Sequence, residues 1–226
     1  MPQAVDIVRQ RIERIAQGVP QGIELFAVGT SPNSSDEASA VALLDEAEQT
    51  EAARFVKPDD RSAFVFRRAA RHLLCAELGI GGEALSYDPN GRPLAGEEWP
   101  GISFSSDEGC ALLAFSRIFV LGVDIERVRP IDDLDGVARD AFSVAERQRL
   151  DEAPSECRAQ RFLEIWTLKE AWLKGMGPGL TADVAQYCVV AASARQTSEG
   201  WRMAHLAVRP GYVAALAWRR ARRPAS

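Results

Sequence analysis

The sequence predicts an α+β protein of two similar α/β subdomains in a pseudo-twofold arrangement, with the active site at their interface. Two observations carry this. Helical periodicity gives way to short β-like runs near the middle of the chain, and the same order, helices and then strands, returns in the second half. The expected units are 1–120 and 121–226. The repeat is architectural, without residue-level self-similarity.

Apolar spacing predicts helices over 4–17, 35–54 and 59–78, with a strand over 22–28. Tyr87 to Pro93 (YDPNGRP) is a turn-rich loop. Short β-like runs follow at 102–105, 110–116 and 118–126. Ser143 with Glu146 three residues on has the form of a capping box that opens a helix. Pro154-Ser155 opens a long helix ending at Gly175, and strands are expected over 185–192, 201–208 and 212–218.

The 226 residues, 46% hydrophobic and 26% charged, describe an ordinary globular chain and set aside disorder, collagen-like and coiled-coil readings. A net charge of −5 argues against a nucleic-acid partner, whose phosphates demand a basic surface. Cys75, Cys110, Cys157 and Cys188 are scattered and form no CxxC pair, which predicts a reduced, cytoplasmic protein. No long uninterrupted apolar run or apolar leader is present, so no membrane span is expected. With two histidines, His72 and His205, a histidine-rich zinc site or a Ser-His-Asp triad has little to build from. The chemistry falls to carboxylates, lysine and arginine.

Two strings fit that requirement. Gly122-Val123-Asp124-Ile125-Glu126 ends an apolar strand with two carboxylates on one face, Val123 and Ile125 turning to the core. Adjacent carboxylates repel, and a hard cation such as magnesium removes the repulsion. The second string is Trp166-Thr167-Leu168-Lys169-Glu170-Ala171-Trp172-Leu173-Lys174. Its Ile165-Leu168-Trp172 face packs, while Trp166, Glu170 and Lys174 form a neighbouring stripe. Each string alone also reads as an exposed strand end or a surface ion pair. Together they supply a third carboxylate and a lysine.

The pair resembles the signature of 4′-phosphopantetheinyl transferases of the Sfp type, a GVDIE strand followed by a WxxKEAxxK helix. The likeness extends to Gly91-Arg92-Pro93, Gly177-Pro178-Gly179-Leu180 and Pro210-Gly211-Tyr212, and more loosely to Arg54-Phe55 and Asp60-Arg61-Ser62. It implies transfer of the phosphopantetheine arm of coenzyme A to a serine of an apo acyl or peptidyl carrier protein, releasing adenosine 3′,5′-bisphosphate, by an enzyme active as a monomer. It further implies Mg²⁺ held by Asp124, Glu126 and Glu170, with Glu170 taking the serine proton and Lys174 on the leaving phosphate. Arg61, Ser62, Arg92, Ser105 and Ser106 are the implied contacts to coenzyme A. Arg67, Arg68 and Arg71 offer further guanidinium groups, and Glu146 is assigned to the helix cap.

The chain departs from the family pattern after Ile102-Ser103-Phe104. Ser106 stands where a histidine is expected to contact coenzyme A phosphates, and Asp107 and Glu108 add negative charge beside it. Two other readings therefore stay open: another Mg-dependent phosphoryl or pyrophosphate hydrolase, and a non-catalytic relative that binds carriers or coenzyme A.

Overall fold

The structure is a computed structural model and describes residues 2–81, 85–88, 93–177, 184–190 and 200–221. The first half contributes α1 (Pro2–Arg9), β1 (Ile12–Arg14), β2 (Glu24–Gly29), α2 (Ser34–Ala40), α3 (Glu46–Ala52), α4 (Pro58–Leu78), β3 (Ser86–Tyr87), β4 (Pro93–Leu94), β5 (Gly101–Asp107) and β6 (Cys110–Ser116). The second half contributes β7 (Phe119–Arg127), α5 (Leu134–Ala141), α6 (Val144–Asp151), α7 (Arg158–Met176), β8 (Arg202–Leu206) and β9 (Tyr212–Arg220).

The fold is α+β. A four-stranded antiparallel sheet has the order β1-β2-β6-β5, and a three-stranded antiparallel sheet has the order β7-β9-β8. Strand alternation explains the layering. Leu25, Ala27, Leu112 and Ala114 of the first sheet meet Leu121, Val123, Ile125, Ala214 and Leu216 of the second in one core. On the far side of the first sheet, Val28, Leu113 and Phe115 pack on Phe64, Val65 and Ala69 of α4. On the far side of the second, Met203, Ala215 and Ala217 pack on Ile165, Leu168 and Trp172 of α7.

The crossover between the sheets is held by Ser116. Its hydroxyl donates to the Gly22 carbonyl at 2.7 Å and accepts from the backbone N–H groups of Ile118 and Phe119. Beyond it β5 and β7 run side by side without sharing a sheet. Their approach requires Gly101, because a Cβ there would collide with the Phe119 carbonyl oxygen. Serines at alternate positions of β5 bridge the seam: Ser103 accepts from the Val123 N–H at 3.1 Å, and Ser105 donates to Asp124.

Three expected elements are corrected. The helix expected over 4–17 ends at Arg9, because Ile12–Arg14 instead pairs with β2, a tertiary contact that overrides local periodicity. The helix expected over 35–54 is broken at Leu44, where Asp45 caps a new helix by accepting from the Glu48 N–H at 2.8 Å. The strand expected over 185–192 is absent among the described residues, and Val184–Gln186 forms a 3-10 turn. There Lys169 draws the carbonyls of Val184 and Tyr187 while Glu146 takes the Val189 N–H, which uses the backbone groups a strand would pair. The long helix begins at Arg158 after a 3-10 turn over Ser155–Cys157.

Candidate active site

Glycine sets the distance between the strand and the helix of the two sequence strings. A Cβ on Gly122 would strike the Ala171 carbonyl oxygen, and one on Gly175 would lie 2.6 Å from the Trp201 ring. Side-chain-free positions thus let α7 settle onto β7, with the small Ala215 and Ala217 of β9 alongside. Asp124 and Glu170 are brought within electrostatic reach of each other as a result.

Asp124 is 4% exposed. Its Oδ1 accepts from Lys174 Nζ at 2.6 Å and from Ser105 Oγ at 2.8 Å, and Lys174 also donates to Ser105 at 2.8 Å. Strand, helix and the neighbouring sheet therefore each contribute one corner of a closed polar triangle. The other oxygens are unsatisfied: Asp124 Oδ2 and Glu170 Oε1 are buried without a hydrogen-bond partner. Burial pushes the Asp124 carboxyl up, with Lys174 and Ser105 opposing it. Burial also pushes Glu170 up, and the charge of Asp124 adds to this against the pull of Lys174. Glu126 is pushed up to about 7 by burial and by Asp107 and Asp124, despite an ion pair with Arg129 at 3.3 Å.

Two orphaned carboxylate oxygens facing mutual repulsion form the kind of donor set a hard divalent cation satisfies. Asp124, Glu126 and Glu170 fit such an ion by chemistry. As the side chains stand, their oxygens do not close into a ready-made cage. Among the described residues, the trio whose ligand atoms all lie within 4.8 Å of one another is Asp45, Glu48 and His72. Its central carboxylate is already neutralised, since Glu48 receives Arg71 at 2.5 Å, His72 at 2.7 Å and Arg68 at 3.6 Å.

Beside the triangle lies a cleft of about 930 Å³ between the two halves, walled by Lys57, Phe64, Arg67, Ser106, Arg127 and Tyr212 among others. Comparison with known proteins finds relatives of one kind. A family model described as the 4′-phosphopantetheinyl transferase superfamily matches residues 120–217, the stretch that carries Asp124, Glu126, Glu170 and Lys174. The chain is 29% identical over 206 residues to the 4′-phosphopantetheinyl transferase HetI of Nostoc, covering 86% of each chain. It is 32% identical over 112 residues to the 4′-phosphopantetheinyl transferase AcpT of Escherichia coli, 48% of this chain and 56% of that one. It is 26% identical over 132 residues to psf-1 of Bacillus pumilus, another 4′-phosphopantetheinyl transferase, 57% of this chain and 55% of that one. Over the stretch that carries the two strings, and with HetI over most of its length, the chain is similar to members of the 4′-phosphopantetheinyl transferase superfamily.

Of the residues singled out in the sequence, the structure brings Asp124, Glu170, Lys174 and Ser105 together at one point. Ser105 is buried against the carboxylate and lysine. Arg61 and Ser62 stand elsewhere, both engaged with Glu37: Arg61 at 3.1 Å, and Ser62 through a short hydrogen bond. Ser106 accepts from Arg67 at 2.7 Å. Arg92 lies outside the described residues. The acids beside Ser106 are neutralised: Asp107 accepts from the Arg127 N–H at 2.9 Å and from Arg129, and Glu108 pairs with Arg127 at 3.1 Å.

Sequence reasoning missed the partner of Lys169. Glu146 does form the expected capping box with Ser143, and it is also 0% exposed and paired at 3.0 Å with Lys169, itself 2% exposed. The only sequence signal was the acid at the cap, which cannot announce a partner on another helix.

Proposed function

We propose that this chain is an Sfp-type transferase that moves the 4′-phosphopantetheine arm of coenzyme A onto a serine of an apo acyl or peptidyl carrier protein. The observation that carries the reading is the Asp124–Lys174–Ser105 triangle with its two unsatisfied carboxylate oxygens, in a chain similar to members of this superfamily. The division of labour follows the halves. Residues 1–120 would hold the phosphates of coenzyme A in the cleft, and residues 121–226 would hold the reacting centre.

The residues fit Mg²⁺ on Asp124, Glu126 and Glu170, where such an ion would grip the pyrophosphate and offset the charge that develops on it. Glu170, with an oxygen that no protein group occupies, is placed to accept the serine proton. The serine oxygen then forms a bond to the β-phosphorus as the bond to the bridging oxygen breaks. The electron pair leaves with adenosine 3′,5′-bisphosphate. Lys174 is one turn beyond Glu170 and only half-buried, so its ammonium can shift from Asp124 to the departing phosphate. Four free cysteines fit a reducing, cytoplasmic setting, no helix among the described residues is long and apolar enough to cross a membrane, and the site draws on one chain, as a monomer would require.

Incubation with coenzyme A, Mg²⁺ and an apo carrier tests the reading. A pantetheine-sized mass gain on the carrier is expected. Its absence on every acyl and peptidyl carrier tried would refute the assignment, and coenzyme A hydrolysis without a carrier would favour a hydrolase.

A further inference from the structure

β7 ends at Arg127, and Arg129, two residues on, folds back beside the last carboxylate of the strand. Its guanidinium spans two acids. Nη1 donates to Asp107 through a short hydrogen bond and to the Arg127 carbonyl at 3.2 Å, while Nη2 lies 3.3 Å from Glu126 Oε2. The two ends are held unequally. Nη1 has two acceptors, and Asp107 is itself fixed by the Arg127 N–H at 2.9 Å, whereas the Nη2 contact to Glu126 is the longer one. The Arg129 side chain is 43% exposed, so packing does not hold it on Glu126.

Glu126 is one of the three acids that fit a divalent cation, and a cation on its carboxylate repels a guanidinium beside it. Release of Arg129 from Glu126 costs little, since the pair is part-exposed and Nη1 keeps Asp107 and the Arg127 carbonyl. Charge balance favours the exchange. With Asp107 matched by Arg129, Glu108 by Arg127 and Asp124 by Lys174, the carboxylates of Glu126 and Glu170 are left over, which is the charge of one divalent cation.

We propose that Arg129 and a divalent cation compete for Glu126, and that Asp107 is the latch that decides the competition by keeping the guanidinium once it lets go. Arg129 is thus a positioning residue for Glu126, and Asp107 acts through Arg129 rather than as a ligand. Asp107 is also one of the acids at which the chain departs from the family pattern, and the latch gives that departure a use. The inference rests on the assignment of Glu126 to the metal made above.

Mn²⁺, which shares the preference of Mg²⁺ for carboxylate and water oxygens, reports the competition by electron paramagnetic resonance on the whole chain, without turnover. Arg129→Gln is expected to tighten Mn²⁺ binding by about threefold to tenfold, and Asp107→Asn to weaken it by a similar factor, because the unlatched guanidinium then stays on Glu126. The double variant should bind as Arg129→Gln does, within about twofold. Arg129→Lys keeps the charge without the two-ended fork and should gain part of the tightening. Melting curves identify a variant that fails to fold, in which case Arg129→Lys carries the comparison with the wild type. Unchanged or weaker binding in folded Arg129→Gln, or in Arg129→Lys in its stead, overturns the proposal. So does a loss on Asp107→Asn that is as large without Arg129 as with it, which would make Asp107 a ligand in its own right. Glu126→Gln separates the two readings. Unchanged Mn²⁺ binding in that variant removes Glu126 from the metal site and the latch with it, whereas the expected pattern in a protein that loads no carrier overturns the transfer reading alone.

Discussion

Lys169 and Lys174 leave the same helix and each meets one carboxylate, yet their surroundings are opposite. Lys169 and Glu146 are sealed from solvent and both are further engaged: Lys169 donates to the carbonyls of Val184 and Tyr187, and Glu146 accepts from the N–H groups of Val189 and Ser143. Lys174 and Asp124 are bonded just as closely, but the lysine side chain is 32% exposed and an oxygen on each of Asp124 and Glu170 is left without a partner. A satisfied ion pair has nothing further to offer a ligand and serves to hold the chain. An unsatisfied one is costly in isolation and is the better place to look for chemistry.

The strongest way to break this contrast is Glu170→Gln. It should lower transfer by on the order of 10³-fold or more, as expected for a proton acceptor that also contributes an oxygen donor. Because it removes a buried charge repelled by Asp124, its melting temperature should match or exceed that of the wild type. Full activity in this variant would remove the assigned site.

Glu146→Gln probes the sealed pair and should cost about 3–5 kcal/mol in denaturant unfolding, because Lys169 is left buried and uncompensated. The protein that remains folded should keep kcat within a few-fold. A loss of stability below about 1 kcal/mol would show that the pair is not structural in the sense described.

Lys174→Met should act chiefly on turnover, lowering kcat by roughly 10²-fold to 10³-fold. It leaves the buried Asp124 without its cation, so some stability is lost too, but less than for Glu146→Gln because Lys174 is part-exposed and Asp124 can take up a proton. If stability fell as far as for Glu146→Gln while kcat held, the two lysines would have exchanged their assigned parts.

A smaller effect comes from Glu48, a second sealed carboxylate in the first half. Burial alone would raise its pKa, but the hydrogen bond from His72 and the charges of Arg71, His72 and Arg68 outweigh this and hold it at about 2. A depressed carboxylate stabilises the fold above its unfolded pKa of 4.5, and that stabilisation is lost as pH falls from there through about 2. It amounts to about 3 kcal/mol. Glu48→Gln should therefore flatten the acid limb of the stability curve between those values, and an unchanged limb would contradict the shift.

The same contrast marks what was legible in the sequence. Strand alternation placed Asp124 opposite Val123, and helical spacing placed Glu170 and Lys174 beside a buried Leu168 and Trp172, because these are short-range regularities. Ser143 and Glu146 announced their cap for the same reason. The break at Asp45 was a local signal hidden inside a longer periodic run. Other features depend on partners far along the chain. Ile12–Arg14 is a strand only because β2 is there to pair with it, and Arg61 is occupied only because Glu37 lies beside it. No local pattern distinguishes Lys169 from a solvated lysine, or Arg67 from its neighbours on α4.

The pairing of β7 has a consequence in time. Its partner in the sheet is β9, met along the whole strand from Phe119 with Arg220 to Arg127 with Tyr212. A ribosome that has delivered Asp124, Glu126, Glu170 and Lys174 has made all four groups of the reacting centre and still has no sheet to mount them on. The strand bearing Asp124 gains its ladder only once residues 212–220 have emerged, so a nascent chain stalled before Tyr212 holds the chemistry without the frame.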